Sequence, residues 1–366
     1  MMRLVTRQRR GLAFLSVIAL VMVTLGYLHR GVPSARVELN DGGVWVTNTA
    51  LRLIAHLNYP SRTLDGGVRA ASGRFDVTQH ANTVLVHDLG NSRGAVIDTA
   101  MLSIGEPGHV PDGAEFGQGG ETAAVLDPAA GKLWLLRAAD IGSFSPSMQP
   151  ASDQLVGGRL IVGVDGVATV VLPNGKVHSW FDGVAEDADE IIGISDLATA
   201  ELTVVGREVV VLDRASNTIR TSSGSTQLTA APAKTRIQQP SAAADAVLVA
   251  QDEAYGWAPL AGGDLTSTST EAGAGTPAAP VVVGGCAYLA WGGSGAYVRD
   301  CASDADDRRQ SVDRIKSSTQ LTFRVNRDVV VLNDVVDGTV LLVNDNMRQV
   351  DNWKPIDSQL DQQEKE

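Results

Sequence analysis

The sequence predicts an all-β fold, an eight-bladed β-propeller preceded by one transmembrane helix, on three observations. A paired-strand unit recurs about every 40 residues from residue 36 to Trp353. Glycine supplies 38 of 366 residues, about a tenth of the chain against the usual ~7%, which suits many tight turns. No stretch after residue 30 sustains a 3.6-residue apolar period, so few helices are expected.

The N-terminal end comes first. Arg3, Arg7, Arg9 and Arg10 stand directly before residues 11–28, GLAFLSVIALVMVTLGYL, a run of eighteen residues without a charge. As a helix that run spans about 27 Å, close to the hydrocarbon thickness of a bilayer. Tyr27, His29 and Arg30 mark the far interface. The arginine cluster keeps residues 1–10 cytoplasmic, so everything after residue 30 is exported. A cleaved signal peptide is the alternative, with Val32-Pro33-Ser34 before Ala35, but the run exceeds the 7–15 apolar residues of such signals. No Cys follows it, so lipidation is not expected. Residues 29–35 read as a short linker.

The propeller is placed at 36–354. Its first strands read VWVT (44–47), TVLVH (83–87), AAVLD (123–127), ATVVLP (168–173), REVVVLD (207–213), DAVLVAQ (245–251), CAYLAW (286–291) and DVVVLN (328–333). Each is followed by a polar or glycine turn and a second apolar strand, from LRLIAHL (51–57) to TVLLVN (339–344). The turns fall near Asn48, Asp88, Asp127, Asn174, Asp213, Asp252, Gly292 and Asn333, at intervals of 40, 39, 47, 39, 39, 40 and 41 residues. Paired-helix repeats run at about 34 residues, whereas short strands at about 40 fit propeller blades. Circular closure leaves few sheet edges to aggregate. Seven blades with one hairpin split across the closure, or two β-sandwiches, are the alternatives. Residues 355–366 read as a polar charged tail or the start of a linker.

Several turns share a finer pattern. Asp127 precedes Gly131-Lys132 by four residues, Asp213 precedes Asn217, and Asp334 precedes Gly338. With unit seven, PVVVGGCAYLAWGGSGAYVRDC, these stretches resemble the repeats of the quinoprotein-like (PQQ-type) β-propellers over nearly all of residues 36–354. The resemblance implies the architecture. The calcium- and quinone-binding set of the related dehydrogenases has no residue-by-residue match here, so no cofactor is expected. The arginine-rich start, single anchor and propeller also look similar to the N-terminal part of large bacterial surface proteins with Ig-like or fibronectin type III domains.

Cys286 and Cys301 carry the one sharp residue-level expectation. If Gly293 and Ser294 centre the hairpin turn, Cys286 and Cys301 face each other directly, near enough for a disulfide. An exported compartment permits the bond. His29, His56, His80, His87, His109 and His178 show no metal-ligand spacing, and His87-Asp88 reads as a solvated turn pair. There is no GxSxG elbow. The Gly273-Ala274-Gly275 stretch lies in a Thr/Ser/Gly/Ala connector, read as a loop rather than a dinucleotide site. The acidic groups Glu186-Asp187-Asp189-Glu190 and Asp304-Asp306-Asp307 lack EF-hand spacing and read as solvated connectors. Trp45, Trp134, Trp180, Trp257, Trp291 and Trp353 read as packing between blades. No catalytic, cofactor-binding or metal residues are assigned.

Residues 1–30 carry five Arg and no acid, so the remaining 25 basic and 42 acidic groups leave a net charge of −17. Such a body repels a phosphate backbone, and nucleic acid is not an expected partner. The expected role is a membrane-anchored, extracytoplasmic scaffold or recognition module for protein or cell-wall polymer partners. The alternative is an envelope enzyme using the propeller funnel, either a quinone-dependent dehydrogenase or a carbohydrate-active domain.

Overall fold

Central strands such as VVVL carry no polar alternation because both of their faces are buried. Val210 and Leu212 point to one side and Val209 and Val211 to the other, each into a different apolar cluster. Val44 and Val46 likewise oppose Trp45, and Ala123 and Val125 oppose Ala124 and Leu126. A period-two backbone sandwiched between two neighbours therefore reads as a continuous hydrophobic run.

The computed structural model describes residues 43–186, 189–230, 232–318 and 320–365. They build eight antiparallel sheets in chain order. Blade 2 is representative, with Phe75–His80 innermost, then Thr83–Asp88, Arg93–Asp98 and Ser103–Ile104. Eight apolar clusters lie between the sheets, one at every junction from blades 1 and 2 round to blades 8 and 1. An open stack of eight sheets would have seven junctions, so the ring is closed. The expected hairpins sit where the repeat places them, with second strands starting within two residues of the expected positions and two of them ending three or four residues early. The fourth-strand region of blade 3 is reduced to a bridge between Leu133 and Ser152, because a 3-10 turn, Ala138–Ser143, buries Ile141 against blade 2 instead.

The repeated turn pattern has a local cause. Asp127, Asp213 and Asp334 each turn a side-chain oxygen onto backbone N–H groups two or three residues ahead. Four residues after each Asp the chain takes a positive φ, at Gly131 (+68°), Asn217 (+53°) and Gly338 (+79°). Asp88 and Asn48 do the same without glycine, using Ser92 (+52°) and Arg52 (+56°).

Closure between blades 8 and 1 is polar on the inside. Blade 1 consists of Gly43–Asn48, Leu53–Asn58 and Thr63–Arg69, with no strand inward of Gly43–Asn48 among the described residues. Side chains from the adjoining blades pair its inner edge instead. Thr47 donates its N–H to Asn333 Oδ1 at 2.9 Å and accepts from Asn333 Nδ2 at 3.1 Å. Trp45 donates to Gln79 Oε1 at 2.9 Å, and Asn326 Nδ2 donates to the Gly43 carbonyl at 2.7 Å. Buried Arg324 crosses the same gap. It donates to the Val77 carbonyl, to Thr47 Oγ1 and, at 2.6 Å, to Asp76.

The outside of that seam corrects one expectation. Where the sequence reads a polar tail from residue 355, the chain forms helix α1, Trp353–Gln363. Trp353 and Ile356 are buried with Val331, Val340 and Leu342 of blade 8 and with blade 1. The apolar stripe begins at Trp353, ahead of the expected boundary, and so escapes a reading of 355–366 alone. The adjoining face sets Asp357, Asp361 and Glu364 around Arg69 of blade 1 at 3.0, 2.7 and 3.0 Å. Asn352 caps the blade edge by exchanging two hydrogen bonds with the Leu64 backbone.

Residues 11–28, read as a membrane span, lie outside the described residues, as do 1–10, 29–35 and the first residues of the expected propeller. No helix among the described residues is long and apolar enough to cross a membrane.

Cys286 and Cys301 are directly cross-strand and joined by a disulfide. Reductant is expected to add two hydrogens to the intact mass of the unfolded chain and to lower stability by about 3 kcal/mol at most. Free thiols on the unreduced protein would contradict the bond. Asn333→Ala leaves the Thr47 N–H and carbonyl buried and unpaired. It should cost roughly 2–4 kcal/mol, read as a lower midpoint of chemical denaturation.

Candidate functional site

One face of the ring carries the turns inside the repeated hairpins, after their first strands, among them those at Asn48, Asp88 and Asp334, and the connectors that lead into the innermost strands. A cavity of about 490 Å³ opens there. Its walls come from blades far apart in sequence: Arg74 and Asp76 of blade 2, Arg236 of blade 6, Thr276 of blade 7 and Gln320 of blade 8. Each lies at or beside the start of an innermost strand, and the ring alone brings them together. The volume suits a small ligand or a few side chains of a partner.

The charges around the mouth are unevenly compensated. Asp76 holds Arg324 through Oδ1 at 2.6 Å, so its charge is compensated. Glu201 takes the Nε of Arg236 at 3.0 Å and also pairs with Arg214, so two guanidiniums share one carboxylate. Arg74 is exposed and its guanidinium has no hydrogen bond or ion pair among the described residues. Behind the rim, the Asp88 carboxylate accepts from Ser72 and from the N–H groups of Gly90 and Asn91.

Apolar side chains flank one side of this mouth. Leu89 lines the cavity and is 46% exposed. The turns of blades 1 and 8 are joined by Thr49 and Ala50 donating to the Val335 and Val336 carbonyls, which brings the exposed Leu51 and Val336 to the same rim.

The residues singled out from sequence lie elsewhere. The disulfide sits at the far end of the strand Cys286–Gly292, whose last residue lines the cavity. The His87-Asp88 pair is not solvated. Asp88 is buried as a turn cap, and His87 lies cross-strand from Asp76 with its ring 4.9 Å from Phe116. Burial pushes the His87 imidazole below its ordinary value, against the pull of Asp76 and Asp88. Burial alone would raise the Asp213 carboxyl, but the Ser195 and Ser216 donors outweigh it and bring it down to about 2. It is a structural anion rather than an acid catalyst. Among the described residues no three His, Cys, Asp or Glu side chains gather to hold a metal ion. Glu186 pairs with Arg207, and Asp189–Glu190 pairs with the strand of blade 4. Asp187 lies outside the described residues. Five of the six tryptophans are buried and Trp257 is partly buried; all but Trp353, which lies on α1, sit within blade strands and pack into the clusters between blades.

Arg74, Arg236 and Leu89 carry no motif. The one signal available to sequence was an arginine just ahead of an innermost strand.

The fold is that of an eight-bladed β-propeller with an arginine-bearing mouth. No family model matches the chain, and no curated protein matches it. Solved structures do. Dihydro-heme d1 dehydrogenase NirN, in complex with DHE, superposes with a TM-score of 0.56 at 11% identity, over 87% of this chain and 75% of that one. BamB from Moraxella catarrhalis gives 0.51 at 12% identity, over 82% and 93%. Apo AztD from Citrobacter koseri gives 0.52 at 8%, over 84% and 93%. At such identities the likeness establishes the propeller and nothing about its ligand.

The lowered His87 value has a consequence for stability. The unfolded chain takes up a proton at about 6.5 while folded His87 resists it, so its contribution is whole above pH 6.5 and shrinks as pH falls below. The melting temperature should drop between pH 7.5 and 5.5. His87→Phe, which keeps the packing on Phe116, should flatten that drop; an unchanged slope would remove His87 as its cause.

Proposed function

We propose that this chain is a membrane-tethered, extracytoplasmic recognition module that holds a partner at the mouth of its propeller. One observation carries the reading: exposed Leu89 and uncompensated Arg74 line the same cavity, whose lining residues Thr49 and Val335 belong to the joined turns that carry exposed Leu51 and Val336. Isolated exposed apolar residues need no explanation, but several gathered on one rim beside a concave, polar site are what an interface requires. The tether rests on residues 1–28, where an arginine cluster precedes the uncharged run. A protein or cell-wall polymer partner in the envelope follows from that placement, as in the surface proteins the layout resembles.

Two measurements test this. Protease added to intact cells should digest the propeller when it is unfolded by a destabilising variant such as Asn333→Ala, and protection under the same conditions would place it on the wrong side. A photo-crosslinking residue at Leu89 in the full chain should capture a partner in native membranes. The same probe at Phe181, exposed on the opposite face, should not. Leu89→Asp, assayed through a probe at Leu51, should reduce capture at least several-fold. Equal capture from both faces, or none, overturns the module reading.

A further inference from the structure

We infer that Arg74 and Arg236 form a carboxylate-binding pair at the propeller mouth, and that the ligand held there presents an acidic group. The inference rests on the recognition reading above and gives it a chemistry.

The local charge balance leads to it. Residues 31–366 carry a net charge of −17, so an uncompensated positive mouth runs against the field of the rest of the body. The carboxylates nearest the cavity are already engaged. Asp76 is held by Arg324, Glu201 is divided between Arg214 and Arg236, and Asp88 and Asp334 accept turn N–H groups. Glu201 grips Arg236 through Nε, which fixes the side chain and leaves its terminal nitrogens unclaimed among the described residues. Arg74 has all of its guanidinium donors unclaimed on the same terms. A guanidinium presents its donors in a planar fork that matches a carboxylate, and two forks on one cavity favour a ligand with more than one oxygen acceptor. A bare ion would leave most of the 490 Å³ unfilled. A free polycarboxylic acid supplies the several oxygen acceptors, and so does the acidic segment of a partner protein whose neighbouring apolar side chains reach Leu89.

The full chain in detergent is titrated at constant ionic strength with citrate, with a five-residue Leu/Glu peptide, and with the same peptide carrying Gln for Glu. The wild type should bind citrate or the Glu peptide and should bind the Gln peptide at least tenfold more weakly. A tighter Glu peptide identifies the partner segment as the source of the carboxylate, and a tighter citrate identifies a free acid. Arg74→Gln should lose about tenfold in affinity for the preferred probe, and Arg74→Lys should lose less. Raising salt should weaken wild-type binding more than that of Arg74→Gln. Arg74 supports no other side chain, so its variants keep the fold, whereas Arg236→Gln also frees Glu201 and serves only as a second line. No binding of either acidic probe, or affinity unchanged in Arg74→Gln, overturns the inference. Where the Glu peptide is the tighter probe, crosslinked capture from Leu89 that persists undiminished in Arg74→Gln overturns it too, while leaving the module reading intact. Absent capture in the wild type sinks the module reading and leaves the citrate titration to judge the arginine pair.

Discussion

Every blade of this protein depends on the apolar surface of its two neighbours. A four-stranded sheet of this size is too small to hold a core of its own, and its central strand is apolar on both faces. Burial is complete only when each face meets another sheet, which makes the last junction, between blades 8 and 1, as necessary as the other seven. The cluster there joins Val44, Val46 and Leu53 to Val331, Val340 and Leu342.

That junction is also where the repeat is least regular. Among the described residues no strand lies inward of Gly43–Asn48, and the buried amides of Asn326 and Asn333, the half-buried amide of Gln79 and the Arg324 guanidinium supply the donors and acceptors such a strand would offer. Backbone groups left unpaired in a buried seam would cost more than the side chains that satisfy them. Helix α1 covers the same seam from outside through Trp353, Ile356 and the carboxylates around Arg69. Closure thus depends on an inner polar clasp and an outer helical cover, two devices with different sensitivities: the first to desolvation, the second to salt and charge.

The mouth inherits its composition from this geometry. Innermost strands begin at the cavity rim, so whichever residue precedes each strand becomes part of the wall. Arg74 stands just ahead of its strand on blade 2, Arg236 opens its strand on blade 6, and Asp76 is drawn into the clasp by Arg324. One arginine of the clasp therefore removes a negative charge from the site while holding the ring together.

The repeat, the hairpin positions and the Cys286–Cys301 bridge were legible in the order of residues alone. Each of these follows from contacts within a few dozen residues: β-branched runs, an Asp turn closed by a positive-φ residue, and a hairpin register set by its own turn. Only the tertiary structure decided the mouth, the clasp and the docking of α1, because those join residues separated by much of the chain, such as Arg324 to Val77 or Arg69 to Asp361. His87-Asp88 shows the boundary within a single dipeptide. Local pattern marked a turn there, but burial, which turned Asp88 inward and set His87 against Phe116, depended on the neighbouring blade.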